Sequence, residues 1–156
     1  MEASASGPWA DANRRDATAM VRQIHVVGAV IISGCNVLCV QRGPDGPLPL
    51  MWEFPGGKIE AGETPQAALK REIYEELLCE VAVGDEVTTT SYKYEFGVVH
   101  LTTFYCELVH GSPQLVEHAA LKWSDARELR SLEWAPADIP AIEIIMQRLG
   151  PAQTSN

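Results

Sequence analysis

The sequence predicts an α/β fold, specifically an α/β/α sandwich around a mixed β-sheet. Three observations point there. Apolar runs rich in Val and Ile alternate with turn residues through most of the chain, as buried strands do. Only two stretches carry helical periodicity, one after Thr64-Pro65 and one around Ile139–Leu149. No internal repeat or second composition regime interrupts the 156 residues, whose 46% hydrophobic content suits one globular core.

The segment 1–22 is rich in Ala, Ser, Asp and Arg and lacks apolar pattern, so it reads as a flexible extension to a domain over 23–150, with 151–156 as a tail. Trp9 has no assignable packing partner. Ile24 to Ile32 is a buried strand, and Ser33-Gly34-Cys35-Asn36 turns it into a second strand, Val37 to Gln41. Arg42 closes this hairpin before the loop Gly43-Pro44-Asp45-Gly46-Pro47. Trp52 to Pro55 is a short strand with Trp52 and Phe54 as core candidates, and the glycines behind it read as a loop. Thr64 caps the central helix and Pro65 fits its first position, where a missing N–H costs nothing. That helix runs to about Leu78, with Leu69, Ile73 and Leu77 as its apolar stripe. Glu80 to Thr90 reads as a strand with a turn at Gly84-Asp85. Tyr92 to Phe96 is a half-exposed strand ended by Gly97, and Val98 to Val109 is a long strand carrying His100, read as structural or substrate-near rather than a metal ligand. Glu117 to Trp123 is a loop feeding a strand, and Ser124 caps a short helix. The terminal helix takes Ile139, Ile142, Ile145 and Met146 as its inner positions.

The chemistry is concentrated between Glu53 and Leu78. Glu72 stands i,i+3 to Glu75 and i,i+4 to Glu76, beside the apolar stripe rather than opposite it. Like charges at these spacings cost about 0.2–0.5 kcal/mol per pair, and partial burial raises that cost. A hard divalent cation relieves it, because Mg²⁺ and Ca²⁺ prefer carboxylate and carbonyl oxygens. Arg71 can pair with Glu75 or orient a neighbouring carboxylate, but it cannot neutralise all three. Gly56-Gly57 permits close backbone approach, which puts a carbonyl within reach of the same ion. Glu63 ends the loop where it can reach the helix N-terminus.

Gly57, Glu63, Arg71, Glu72, Ile73, Glu75 and Glu76 resemble, in register, the signature box of the Nudix hydrolases. Leu78 departs from it, standing where the family has a helix-ending glycine, and Cys79 follows where the family has an aliphatic residue. The stretch Trp52 to Lys58 and the Ala-Asp-Ile-Pro segment near the end resemble the MutT-type branch. The resemblance covers about Ile24 to Leu149 and implies the Nudix fold. It implies a hydrolase that cleaves nucleoside triphosphates to monophosphate and pyrophosphate, with oxidised dGTP and (d)CTP as the leading substrates. The implied cofactor is Mg²⁺, and Mn²⁺ suits the same oxygens. The metal ligands would be Glu72, Glu75, Glu76, Glu117 and the Gly56 carbonyl. Glu72 or Glu117 would act as base while Arg71 orients a glutamate. Arg42 and Lys58 would meet phosphate oxygens. Asp138 either caps the last helix or touches the base edge, two compatible roles. For Arg42 and Glu117, ordinary surface placement is the competing reading. Two other functions stay open: hydrolysis of another nucleoside diphosphate derivative, and a non-catalytic nucleotide sensor.

Composition sets the remaining expectations. A net charge of −9 disfavours a nucleic-acid polymer as partner. No stretch approaches the roughly 20 apolar residues of a membrane span. Four cysteines without a Cys-x-x-Cys pair read as reduced thiols, and no secretory signal opens the chain, so the expectation is a cytoplasmic monomer or homodimer.

Overall fold

The computed structural model describes residues 21–149. Apart from Val21 and Arg22, the anticipated extension with Trp9, and the tail 151–156, lie outside the described residues. Seven strands form one mixed sheet: β1 (Gln23–Ser33), β2 (Asn36–Gln41), β3 (Trp52–Glu53), β4 (Gly56–Lys58), β5 (Glu80–Tyr94), β6 (Gly97–His110) and β7 (Ala120–Asp125). The main path runs β3-β2-β1-β6-β5, with β4 added to β1 and β7 to β2. β1 and β6 pair in parallel, while β2, β4 and β5 join their neighbours antiparallel.

The strand period of two sends alternate residues of β1 to opposite faces. Val27, Ala29 and Ile31 face helix α1 (Pro65–Leu77) and pack with its Leu69, Ile73 and Leu77. Val30 joins the other core, where Ile142 and Ile145 of α2 (Ile139–Leu149) meet Phe54, Leu129 and Trp134. One helix on each face gives the expected α/β/α sandwich. Leu69, Ile73 and Leu77 are fully buried, which is worth about 1.5–3 kcal/mol per side chain. Thr64 caps α1 as anticipated, its hydroxyl accepting from the Ala67 N–H at 3.1 Å.

Several elements differ from the reading of the sequence. The Gly-Gly stretch is a strand, β4, pairing Gly56 with Gly28 and Gly57 with Val27. A Cβ on Gly56 would lie 1.9 Å from the Val27 carbonyl oxygen, so only glycine lets the two backbones approach this closely. Gly84-Asp85 is no turn: β5 runs unbroken to Tyr94, and the irregularity is a register shift against β6 between Val83 and Glu86. Asp125, not Ser124, caps the following 3₁₀ helix (Ala126–Ser131), accepting from the Arg127 N–H at 2.8 Å, while Ser124 is buried in β7. On α2, Ile139 is exposed and Ala141 takes the inner position instead.

Leu78 ends α1 in the left-handed region, at φ 54° and ψ 38°, and its N–H donates to the Tyr74 carbonyl at 3.0 Å. The exit geometry that the family builds with glycine is kept by a leucine that is more than half exposed. A left-handed leucine costs about 1 kcal/mol, so Leu78→Gly should raise the melting temperature by about 1–4 °C. A lower melting temperature in thermal unfolding would show that the leucine side chain contributes more than its backbone costs.

Candidate active site

The site begins with Arg71, which ties α1 to the segment before it. Its Nε and one terminal N–H donate to the two oxygens of Glu63, at 2.6 and 3.0 Å, and the same nitrogen reaches the Lys58 carbonyl at 3.0 Å. The other terminal nitrogen lies 3.2 Å from both Glu72 and Glu75. These bonds hold the Glu63 carboxyl below its usual range, and the Glu60 N–H adds a further bond to it. Arg71 thus orients carboxylates, with its donors spent on protein. Glu75 is exposed and shares an Arg71 nitrogen with Glu72, outside both hollows described below.

Glu72 and Glu76 face inward from the same helix. The Glu72 carboxyl lies against Gly57, where an added Cβ would come within 2.3 Å of its carboxyl carbon. Glu76 lies beside Glu53 of β3 and Glu117 of the loop before β7. Its Oε1 is buried with no hydrogen-bond partner among the described residues. Burial, then the neighbouring Glu72, then Glu53 and Glu117, push its carboxyl up to about 9. His118 completes this corner. Its side chain is 11% exposed, with Nε2 3.6 Å from Glu53 Oε2 and 3.9 Å from Glu76 Oε1. Its Nδ1 is buried without a partner among the described residues.

Two hollows meet at this wall. A small one of about 160 Å³ is lined by Arg42, Gly43, Asp45, Glu53, Glu76, Glu117 and His118. A larger cleft of about 450 Å³ shares Arg42, Glu53 and Glu76 with it. The cleft then continues past Gly56, Gly57 and Lys58 to Phe54, Tyr94, Phe96 and Asp138. An acidic, cation-seeking end therefore opens into an apolar and aromatic one, the layout of a small-ligand site.

The anticipated site residues divide accordingly. Glu76, Arg42, Lys58, the Gly56 backbone and Asp138 line the cleft, and Glu117 lines the small hollow. Arg42 is engaged, donating to Glu53 Oε1 at 2.9 Å and to the Pro47 carbonyl at 3.0 Å. Asp138 does not cap α2. It is buried and accepts the Phe54 N–H at 3.0 Å, and burial followed by nearby Glu53 raises its carboxyl well above the usual range. His100 is structural: its two nitrogens sit 2.7 Å from Ser91 Oγ and Gln23 Oε1, and its ring stacks on His25. Glu53 and His118 were not singled out from the sequence. Their signals were slight: Glu53 alternates with two core aromatics, and His118 simply follows Glu117.

A NUDIX domain profile matches residues 23–144 of this chain. The chain belongs to the NUDIX family. It is a hydrolase of that family, whose members generally need a divalent metal. It is 36% identical over 126 residues to the CTP pyrophosphohydrolase of Escherichia coli, covering 81% of this chain and 93% of that protein. It is 32% identical over 120 residues to the 8-oxo-dGTP diphosphatase of the same organism, covering 74% and 90%. A solution structure of the DNA mismatch repair protein MutT, family Nudix hydrolase, from methicillin-resistant Staphylococcus aureus superposes with a TM-score of 0.70 and 52% identity. That match covers 83% of this chain and 99% of the other. No helix among the described residues is long and apolar enough to cross a membrane.

The residues present fit a divalent cation. Among the described residues no three Asp, Glu, His or Cys side chains already stand in a coordinating arrangement. The orphaned Glu76 oxygen, its carboxylate neighbours and the glycine cradle around Glu72 nevertheless make a corner whose charge calls for one. Gly57→Ala would drive a methyl group into the Glu72 carboxyl. Mn²⁺ affinity, read from the free-ion spin-resonance signal, should fall by about tenfold or more with the fold retained. Unchanged affinity would mean that Glu72 does not hold the ion.

Proposed function

We propose that this Nudix hydrolase cleaves nucleoside triphosphates to the monophosphate and pyrophosphate, removing oxidised dGTP or (d)CTP-type nucleotides from the pool. The observation that carries this reading is the wall shared by the two hollows: Glu76 and Glu53 border both the acidic corner and a cleft ending in Tyr94, Phe96 and Asp138. A phosphate chain laid along that wall brings its anhydride to the acids and its base to the aromatic end. The names of the E. coli relatives support the same two substrate types.

The roles follow from position. Glu72, Glu75, Glu76, Glu117 and the Gly56 carbonyl would hold Mg²⁺, and Mn²⁺ suits the same oxygens. The bound cation neutralises phosphate charge and acidifies the attacking water. Glu72 or Glu117 takes the water's proton. Glu75 is exposed and held by Arg71, so it would serve from the outer edge of the set. Arg71 keeps Glu63, Glu72 and Glu75 in place and does not touch the substrate. Lys58, at the cleft's edge, and Arg42, once released from Glu53, stabilise charge on the phosphate oxygens. Asp138 presents its carboxyl to the base edge while holding the Phe54 backbone. A cytoplasmic enzyme without a polymer partner, acting as monomer or homodimer, is consistent with the charge and composition.

Pyrophosphate release with Mg²⁺ over a panel of 8-oxo-dGTP, dCTP, CTP, ADP-ribose and a diadenosine polyphosphate tests the reading, with Glu76→Gln run alongside. A preference within the triphosphates is expected, reduced by about 100-fold or more in the variant. Nucleotide binding without turnover of any of them would replace the hydrolase with a sensor.

A further inference from the structure

The aromatic end of the cleft holds a hydroxyl to which the mechanism above gives no task. Tyr94 is the last residue of β5 and lines the cleft with Phe96 and Asp138. Its oxygen accepts the Ala137 N–H at 2.8 Å, one residue before Asp138. Its ring is packed between Tyr92, with centroids 4.7 Å apart, and Phe96, stacked at 5.0 Å and 6°. These contacts fix the phenol in place and use its oxygen as an acceptor. A phenol also has one proton to donate, and among the described residues no protein group accepts it. Burial pushes the pKa of this hydroxyl up to about 12, so the proton stays on at neutral pH.

We infer that Tyr94 is a specificity-determining residue that donates its hydroxyl proton to a carbonyl oxygen of the bound base, while its bond to Ala137 holds Asp138 alongside. This rests on the cleft being the base site. Guanine and 8-oxoguanine carry the C6 carbonyl beside the N1–H, and cytosine carries its C2 carbonyl on the same edge as its amino group, so each can engage both Tyr94 and Asp138. Adenine has no carbonyl: its acceptors are ring nitrogens, set back from the base edge by about the 1.2 Å of a C=O bond, so in the same pose the tyrosine hydroxyl is left unpaired. A site built to bond a polar group discriminates against analogues that lack it, because its own group is then left unpaired.

The test compares the wild-type enzyme with Tyr94→Phe, which keeps the ring stack and removes only the oxygen. kcat and KM are measured with Mg²⁺ for 8-oxo-dGTP, dCTP and dATP. KM for the two carbonyl-bearing nucleotides should rise by about tenfold, while KM for dATP and every kcat stay within about threefold. Losing the Ala137 bond alone would loosen Asp138 for all three nucleotides, so an equal rise for dATP overturns the proposal and leaves a structural tyrosine. Unchanged KM for all three overturns it as well. If the wild type hydrolyses none of them, the base-site reading fails first and this inference with it. Nucleotide turnover with unaltered discrimination sinks the inference alone.

Discussion

The structure depends on one electrostatic constraint: Glu76 is a carboxylate placed where a carboxylate alone is poorly tolerated. It is partly buried, has Glu53, Glu72 and Glu117 around it, and leaves one oxygen without a hydrogen-bond partner among the described residues. Its helix is fixed by the burial of Leu69, Ile73 and Leu77, which anchors the Glu76 backbone at this wall. The core therefore holds the acid in place, and the acid in turn calls for a cation. Stability and chemistry meet in a single helix whose inner stripe packs and whose edge stays charged.

The second support is the backbone beneath that edge. Gly28, Gly56 and Gly57 let β4 lie directly on β1, and the missing side chain of Gly57 leaves the room in which the Glu72 carboxyl rests. Arg71 closes the arrangement from outside, bonded to Glu63, Glu72, Glu75 and the Lys58 carbonyl together. It gathers negative charge around the site without entering the cleft. On the proposed reading the phosphate would meet Lys58 and Arg42 instead, and Arg42 starts from an ion pair with Glu53. A substrate phosphate would then have to compete for Arg42 with a carboxylate that also borders the acidic corner.

Much of this was legible in the sequence, for physical reasons. The α1 pattern could be read because a buried stripe, a threonine cap and the inner acids Glu72 and Glu76 are all local features, although Glu75, expected beside them, is exposed. The layered fold followed from strand runs broken by just two helices. Elements that depend on tertiary contact were not legible. β4 is made of the residues least suited to a strand, and only the closeness of β1 makes it one. The Gly84-Asp85 irregularity looks like a turn until β6 holds the strand straight. Asp125 outcompeted Ser124 as a cap because Ser124 points into the core. Asp138, a plausible helix cap by position, is instead drawn to the Phe54 amide 84 residues away. Glu53 and His118 reach the site from separate segments, and nothing in either neighbourhood marks them.

The central claim is that the acidic corner and the aromatic cleft form one site, spanned by a single nucleotide. A crystal structure with Mg²⁺ and a non-hydrolysable dCTP or dGTP analogue tests it most directly. The account predicts a cation among Glu72, Glu76 and the Gly56 carbonyl, phosphates along Lys58, and the base between Phe96 and Asp138. A base lying outside the cleft, or a triphosphate bound with no cation at those glutamates, would contradict it.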